Sequence, residues 1–140
     1  VTLDLFKKGG GEERKRALEL VDEAVKAARK RGATIAFDPN LRLRLWESVE
    51  AMCASVMEAA AVSDIVLPSF EDEATLFGDV GPVDTANRYS EAGVPLVIVK
   101  NGPGEVLWQA DGEPWTFQVP PKLSSASKTA TFLPGQRVRK

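Results

Sequence analysis

A proline placed just after a short apolar run constrains this chain most. Ala33-Thr34-Ile35-Ala36-Phe37 follows a helical pattern that stops at Gly32, and it reads as a buried parallel strand. Pro39 has no amide hydrogen to give a sheet ladder and pushes Asp38 toward an extended conformation, so the backbone leaves the sheet there, at its carboxyl edge. In open α/β sheets that edge is where ligands bind. Arg42 and Arg44 then alternate with Leu41, Leu43 and Leu45 ahead of Trp46. In an extended segment the basic and apolar side chains would face opposite ways, one side packing and the other presenting guanidinium groups to an anion.

The chain has 140 residues, 44% of them hydrophobic, enough to bury a single core. Eighteen basic residues against 20 acidic ones give a net charge of -2, which does not point to nucleic acid as a partner. With no histidine and a lone cysteine, Cys53, there is no Ser-His-Asp site, no histidine-held zinc and no disulfide framework. No apolar run approaches the roughly 18 residues of a membrane span, and no signal-peptide order opens the chain. A soluble cytoplasmic protein is the expectation.

Taken in order, Val1 to Phe6 alternates like a strand but begins without an initiator methionine, which is expected of an incomplete chain. After the glycines at Gly9, Gly10 and Gly11, a helix is expected from Glu12 to Arg31, with Ala17, Leu18, Val21, Ala24, Val25 and Ala28 on its apolar face. Ser48 is placed to cap a second helix with Val49, Met52, Cys53, Val56, Met57, Ala60 and Ala61 as its buried stripe. Asp64 to Pro68 is another buried strand ended by proline, followed by an acidic helix start at Ser69-Phe70-Glu71-Asp72-Glu73 that closes at Gly78. A helix from Val83 or Asp84 to Ala92, a strand at Leu96 to Lys100 and two alternating runs around Asp111-Gly112 complete the pattern. This order describes an α/β layered sheet ending in antiparallel edge strands. After Pro120-Pro121 the periodicity stops, so residues 1–121 read as a partial domain and residues 122–140 as a divergent, poorly ordered tail.

Three segments carry candidate chemistry, each with a plainer alternative. Arg42 and Arg44 suit a carboxylate or phosphate, or are solvated loop residues. Ser69, Glu71, Asp72 and Glu73 suit Mg²⁺ held through water, or form an acidic first turn that complements the helix dipole. Asn101-Gly102-Pro103-Gly104 lets a nucleotide approach the backbone, or is a tight hairpin turn. Trp108 and Trp115 read as packing residues rather than a stacking platform, and Cys53 as a core residue.

Together, in this order, these segments resemble the ribokinase-like, PfkB-type sugar kinases, and among them the 2-keto-3-deoxygluconate kinases. The residues that carry the resemblance are Phe37-Asp38-Pro39-Asn40-Leu41-Arg42 with Leu45-Trp46, Ala61 through Ala74, and Val97-Ile98-Val99-Lys100-Asn101-Gly102 with Gly104. The resemblance implies a ribokinase-like three-layer αβα sheet, present in part. It implies transfer of the ATP γ-phosphoryl group to a sugar-acid hydroxyl with Mg²⁺, the partners being ATP and a small sugar acid. By the same resemblance Asn40 and Arg42 are substrate-binding, Lys100, Gly102 and Gly104 nucleotide-binding, and Ser69 and Asp72 magnesium-binding, through water.

The chain departs from the family pattern after Pro121. Where the family carries Gly-Ala-Gly-Asp, with its anion-binding helix start and proton-accepting aspartate, this sequence has Lys122 through Phe132 without it, and no residue replaces the base. The expectation is a kinase fragment, inactive as an isolated chain, with sheet edges exposed for self-association. The alternative is a non-catalytic α/β domain that binds a nucleotide or anion.

Overall fold

The structure, a computed structural model, describes residues 11–103, 105–118 and 136–137. Along the chain these form α1 (Gly11–Lys30), β1 (Ala36–Phe37), a 3₁₀ turn (Leu43–Leu45), α2 (Val49–Ala61), β2 (Ile65–Val66), α3 (Phe70–Phe77), α4 (Pro82–Glu91), β3 (Leu96–Val99), β4 (Glu105–Ala110), β5 (Glu113–Gln118) and β6 (Gln136–Arg137). The strands make one sheet in sequence order, parallel from β1 to β3 and antiparallel from β3 to β6. The expected strand at Val1–Phe6 lies outside the described residues. So does most of the segment after Pro121, of which Gln136–Arg137 pairs with Trp115 and Thr116 of β5.

Alternation along each strand decides which side chains are buried. Val66, Val97, Val99 and Leu107 are buried, whereas their neighbours Ile65, Ile98 and Val106 are half-buried and Trp108 is exposed. The buried set meets Met52, Val56 and Ala60 of α2 and Ala86 and Tyr89 of α4, so the core lies between these helices and one face of the sheet. β4 is tied to α4 by Gln109, whose Nε2 donates to Asn87 Oδ1 at 3.2 Å and to Ser90 Oγ at 3.1 Å. Asp111 and Gly112, with φ of 51° and 79°, supply the left-handed pair that a two-residue hairpin between twisted strands requires.

Three sequence expectations need correction. The run 33–37 is not a buried strand: only Ala36–Phe37 joins the ladder, Ala36 is exposed, and β1 is the outermost strand on its side among the described residues. What holds it is Asp64, which receives the Ile35 amide on Oδ2 at 2.7 Å and returns its own amide to the Ile35 carbonyl at 2.8 Å. That amide, followed by Arg29, keeps the Asp64 carboxyl below the usual carboxylate range. Second, residues 41–46 are not extended. Leu45 and Trp46 donate to the carbonyls of Arg42 and Leu43, both at 2.9 Å, and this winding leaves Leu41 buried but Leu43 and Leu45 exposed. Third, the described side chains on the apolar face of α1 stay outside the core cluster, Ala24 being exposed and Val21, Val25 and Ala28 half-buried.

Between α3 and α4 lies a charged network. Glu73 is fully buried, its Oε2 accepts from Arg88 Nη2 at 2.8 Å, and its Oε1 accepts from the Tyr89 hydroxyl at 3.0 Å. Arg88 also donates to both Asp79 oxygens, at 2.6 and 3.3 Å, and lies 3.7 Å from the Phe77 ring centroid. Thr85 Oγ1 donates to Asp79 at 2.6 Å. Burial pushes the Glu73 carboxyl up, against the pull of the Arg88 guanidinium. Burial works against the Arg88 charge as well, but its bonds to Asp79 and Glu73 outweigh it.

Removing the cation would strand the Glu73 carboxylate. Arg88→Met is expected to cost about 3–5 kcal/mol at neutral pH, measured by urea unfolding. A carboxyl whose folded pKa lies above its unfolded value favours the folded state at low pH and loses that advantage as pH rises through the window between the two. The Arg88→Met penalty is therefore expected to shrink as pH falls toward the carboxylate range, and a pH-independent penalty would contradict the buried-charge account. The two serines before helices make a second contrast. Ser48 Oγ accepts the Ala51 amide at 3.1 Å, but Ser69 makes no such bond at the start of α3. Ser48→Ala should cost about 1 kcal/mol and Ser69→Ala less than about 0.5, read from the same unfolding curves.

Candidate functional site

The parallel strands end together at one edge, and the three candidate segments leave the sheet there. β1 runs into Asp38, β2 into Pro68 and Ser69, and β3 into Lys100. Prolines at 39 and 68 supply no amide to continue a ladder, so the chain turns outward after both strands. One pairing extends past the prolines: Lys100 donates its amide to the Pro68 carbonyl at 2.8 Å and accepts the Phe70 amide at 2.9 Å. Ser69 and Lys100 thus form a parallel bridge that fixes the start of α3 beside the end of β3.

The Lys100 side chain then crosses the end of β2. Its Nζ reaches Asp38 Oδ2 at 2.7 Å, with the two side chains 43% and 50% exposed. Asp38 Oδ1 accepts the Asn40 amide at 3.2 Å, and Asn40 adopts a positive φ of 39°, turning the chain out of the strand. Asparagine tolerates this region better than most residues because its short polar side chain bonds locally. Asn40 is therefore backbone-linked to the same carboxylate that holds Lys100.

Arg42 stands next along this turn, exposed, with Nη1 donating to the Leu41 carbonyl at 2.9 Å. Leu41 beside it is 5% exposed and anchors the segment in the core, with Trp46 packed against the same cluster. Asp72 lies in the acidic first turn of α3, half-buried. Among the described residues, no hydrogen bond or ion pair links Arg42 or Asp72 to the Asp38–Lys100 pair. Gly102 has a φ of 52° in the turn after β3, and Gly104 lies outside the described residues.

Glu73, grouped with Asp72 on sequence spacing, belongs elsewhere: its carboxylate points into the core and is taken by Arg88 and Tyr89. No group of three or more His, Cys, Asp or Glu side chains that could hold a metal ion exists among the described residues. A magnesium ion bound here would rest on one carboxylate, with water and phosphate oxygens filling its remaining positions, the usual manner for this ion. The donor set at Ser69 and Asp72 fits that manner. Trp108 and Trp115 face each other across β4 and β5 as a cross-strand pair. No helix of the described residues is long and apolar enough to cross a membrane. Asp38 was the functional candidate that sequence spacing passed over. No local signal marks it, because its partner Lys100 lies 62 residues away.

Comparison with known proteins identifies the scaffold. The profile of the pfkB family carbohydrate kinases matches residues 14–130, running past Pro121. A 2-dehydro-3-deoxygluconokinase of Haemophilus influenzae is 36% identical over 80 residues, covering 57% of this chain and 26% of the relative. Among solved structures, the fructokinase of Halothermothrix orenii has 32% identity and a TM-score of 0.61, covering 74% of this chain and 37% of that one. An Escherichia coli protein designated ribokinase II, in complex with ATP and Mg²⁺, has 26% identity and a TM-score of 0.59, covering 73% and 33%. The chain thus spans well under half the length of the relatives it matches. Its ribokinase-like sheet and its family match agree, and the chain belongs to the pfkB family of carbohydrate kinases.

Proposed function

We propose that this chain carries the acceptor-binding and nucleotide-facing part of a cytoplasmic, ATP-dependent sugar kinase whose acceptor is a sugar acid such as 2-keto-3-deoxygluconate. The observation that carries this reading is the convergence of Asp38, Ser69 and Lys100 at the carboxyl edge of a parallel sheet, with Asn40 and Arg42 on the adjoining turn. Relatives named as deoxygluconokinases and as fructokinases both support a sugar acceptor. Arg42 favours the acid among them, because a planar guanidinium fork pairs with a carboxylate in a bidentate way.

Each residue then has a defined task. Arg42 binds and orients the acceptor carboxylate, and Asn40 shapes the turn that presents it. Lys100, with Gly102 and Gly104 beyond it, meets the nucleotide phosphates. Ser69 and Asp72 hold Mg²⁺ through water. ATP supplies the phosphoryl group, and Mg²⁺ neutralises charge on its oxygens. Positioning and charge neutralisation are most of what this chemistry asks of a protein. The proton of the acceptor hydroxyl still needs a base, and Lys122 through Phe132 supplies none. Self-association through the β1 edge belongs to the same reading, since among the described residues no strand pairs with the outer side of β1.

The test is to incubate the purified chain with Mg-ATP and 2-keto-3-deoxygluconate, following ADP release and thermal stability. Thermal stabilisation by Mg-ADP and by the sugar acid, with ADP release at background, is expected. Arg42→Ala should abolish the sugar-acid shift while keeping the nucleotide shift. Turnover far above background would reveal a base within the chain. A nucleotide shift without any sugar-acid shift would favour a non-catalytic binding domain.

A further inference from the structure

Lys100 is the cation that the proposed function directs at nucleotide phosphates, yet its ammonium is already engaged. Asp38 Oδ2 lies 2.7 Å away, across the end of the intervening β2. Both partners are held from behind. The Lys100 backbone is fixed on either side by Pro68 and Phe70, and the Asp38 carboxylate is oriented by the Asn40 amide on its other oxygen. The charges therefore meet by construction. Each side chain is nevertheless about half-exposed, a setting in which an ion pair holds weakly and yields to a competing anion.

We infer that Asp38 is an internal counter-ion for Lys100, which a polyphosphate must displace to bind at this edge. The inference rests on the nucleotide role proposed for Lys100, and it adds a residue and an order of events to it. Phosphate oxygens take over the Nζ–H donors, and Asp38 Oδ2 is released while Oδ1 keeps the Asn40 amide. Because Asn40 begins the turn that carries Arg42, arrival of the polyphosphate changes the charge facing the acceptor side of the edge. An empty edge is neutral at this point, and an occupied one gains a free carboxylate. That carboxylate also disfavours anions, so the pair limits loading of the edge by a lone phosphate with too few oxygens to compete. Asp38 is thus a positioning residue: it acts on the phosphates through Lys100.

Asp38→Asn tests this directly, since asparagine keeps an Oδ1 acceptor for the Asn40 amide and removes only the charge. Calorimetric titration of the full chain with inorganic pyrophosphate at low ionic strength should show about two- to fivefold tighter binding in Asp38→Asn than in the unaltered chain, the range an exposed ion pair permits. Asp38→Ser, a second neutral replacement, should behave alike, and Asp38→Glu should restore the unaltered affinity. In a Lys100→Met background the gain should vanish. Unchanged or weaker binding in both neutral variants, a gain that survives Lys100→Met, or no pyrophosphate binding by any of these chains would overturn the counter-ion role. ADP measured in parallel separates this from the nucleotide reading. If the pyrophosphate effect is found but ADP binds no more tightly than pyrophosphate, the counter-ion role stands and adenine nucleotide recognition does not.

Discussion

Glu73 sits at 0% exposure in a chain of modest size, and an ionised carboxylate in that position needs a cation within hydrogen-bond reach. Arg88 meets that need from α4, and much of the architecture follows from it. The guanidinium must enter between the helices, so Phe77 and Tyr89 supply ring surface around it, and Asp79 takes the donors that Glu73 leaves. These contacts tie α3 to α4 through Glu73, Arg88 and Tyr89. Since the N-cap of α3 is Ser69, the residue bridged to Lys100, the same contacts help to place the carboxyl edge of the sheet.

At the edge itself, short strands are reinforced by side chains. β1 and β2 contribute two residues each to the ladder, too little for independent stability. Asp64 supplies the missing bonds at one end by joining Ile35, and the Pro68–Lys100–Phe70 exchange supplies them at the other. The Asp38–Lys100 pair adds a link between strands that are not neighbours in the sheet. Exposed as it is, that pair adds little stability.

Much of this was legible in the sequence where one local rule acted alone. Pro39 and Pro68 marked the strand ends, Ser48 the cap of α2, Gly78 the end of α3 and Asp111-Gly112 the hairpin. Placing Asn40, Arg42, Ser69 and Lys100 near one sheet edge needed only that a parallel sheet ends its strands together. Features that depend on two distant segments were not legible. Glu73 reads as one more acid in a solvated first turn until Arg88, 15 residues on, is known to lie against it. Asp38 and Lys100 are 62 residues apart, and nothing in either neighbourhood points to the other. The stretch 41–46 misled for a different reason: alternation of Leu and Arg suits a strand, but Asn40 at positive φ redirects the chain into a tight turn before any partner strand can pair with it.

The two cations of the edge end in different states, and the difference bears on how it works. Arg42 spends one donor on the neighbouring Leu41 carbonyl, and among the described residues no carboxylate pairs with it. Its other donors remain directed at solvent, free to take a carboxylate without breaking an existing ion pair. Lys100 is already paired with Asp38, which by the counter-ion inference a phosphate would have to displace. Under the proposed function an acidic acceptor would therefore meet an open cation, and a polyphosphate an occupied one. Such an edge would then discriminate by how well a ligand replaces Asp38 at Lys100, because either kind of ligand leaves the Asp38 carboxylate unpaired and only several phosphate oxygens offset that loss.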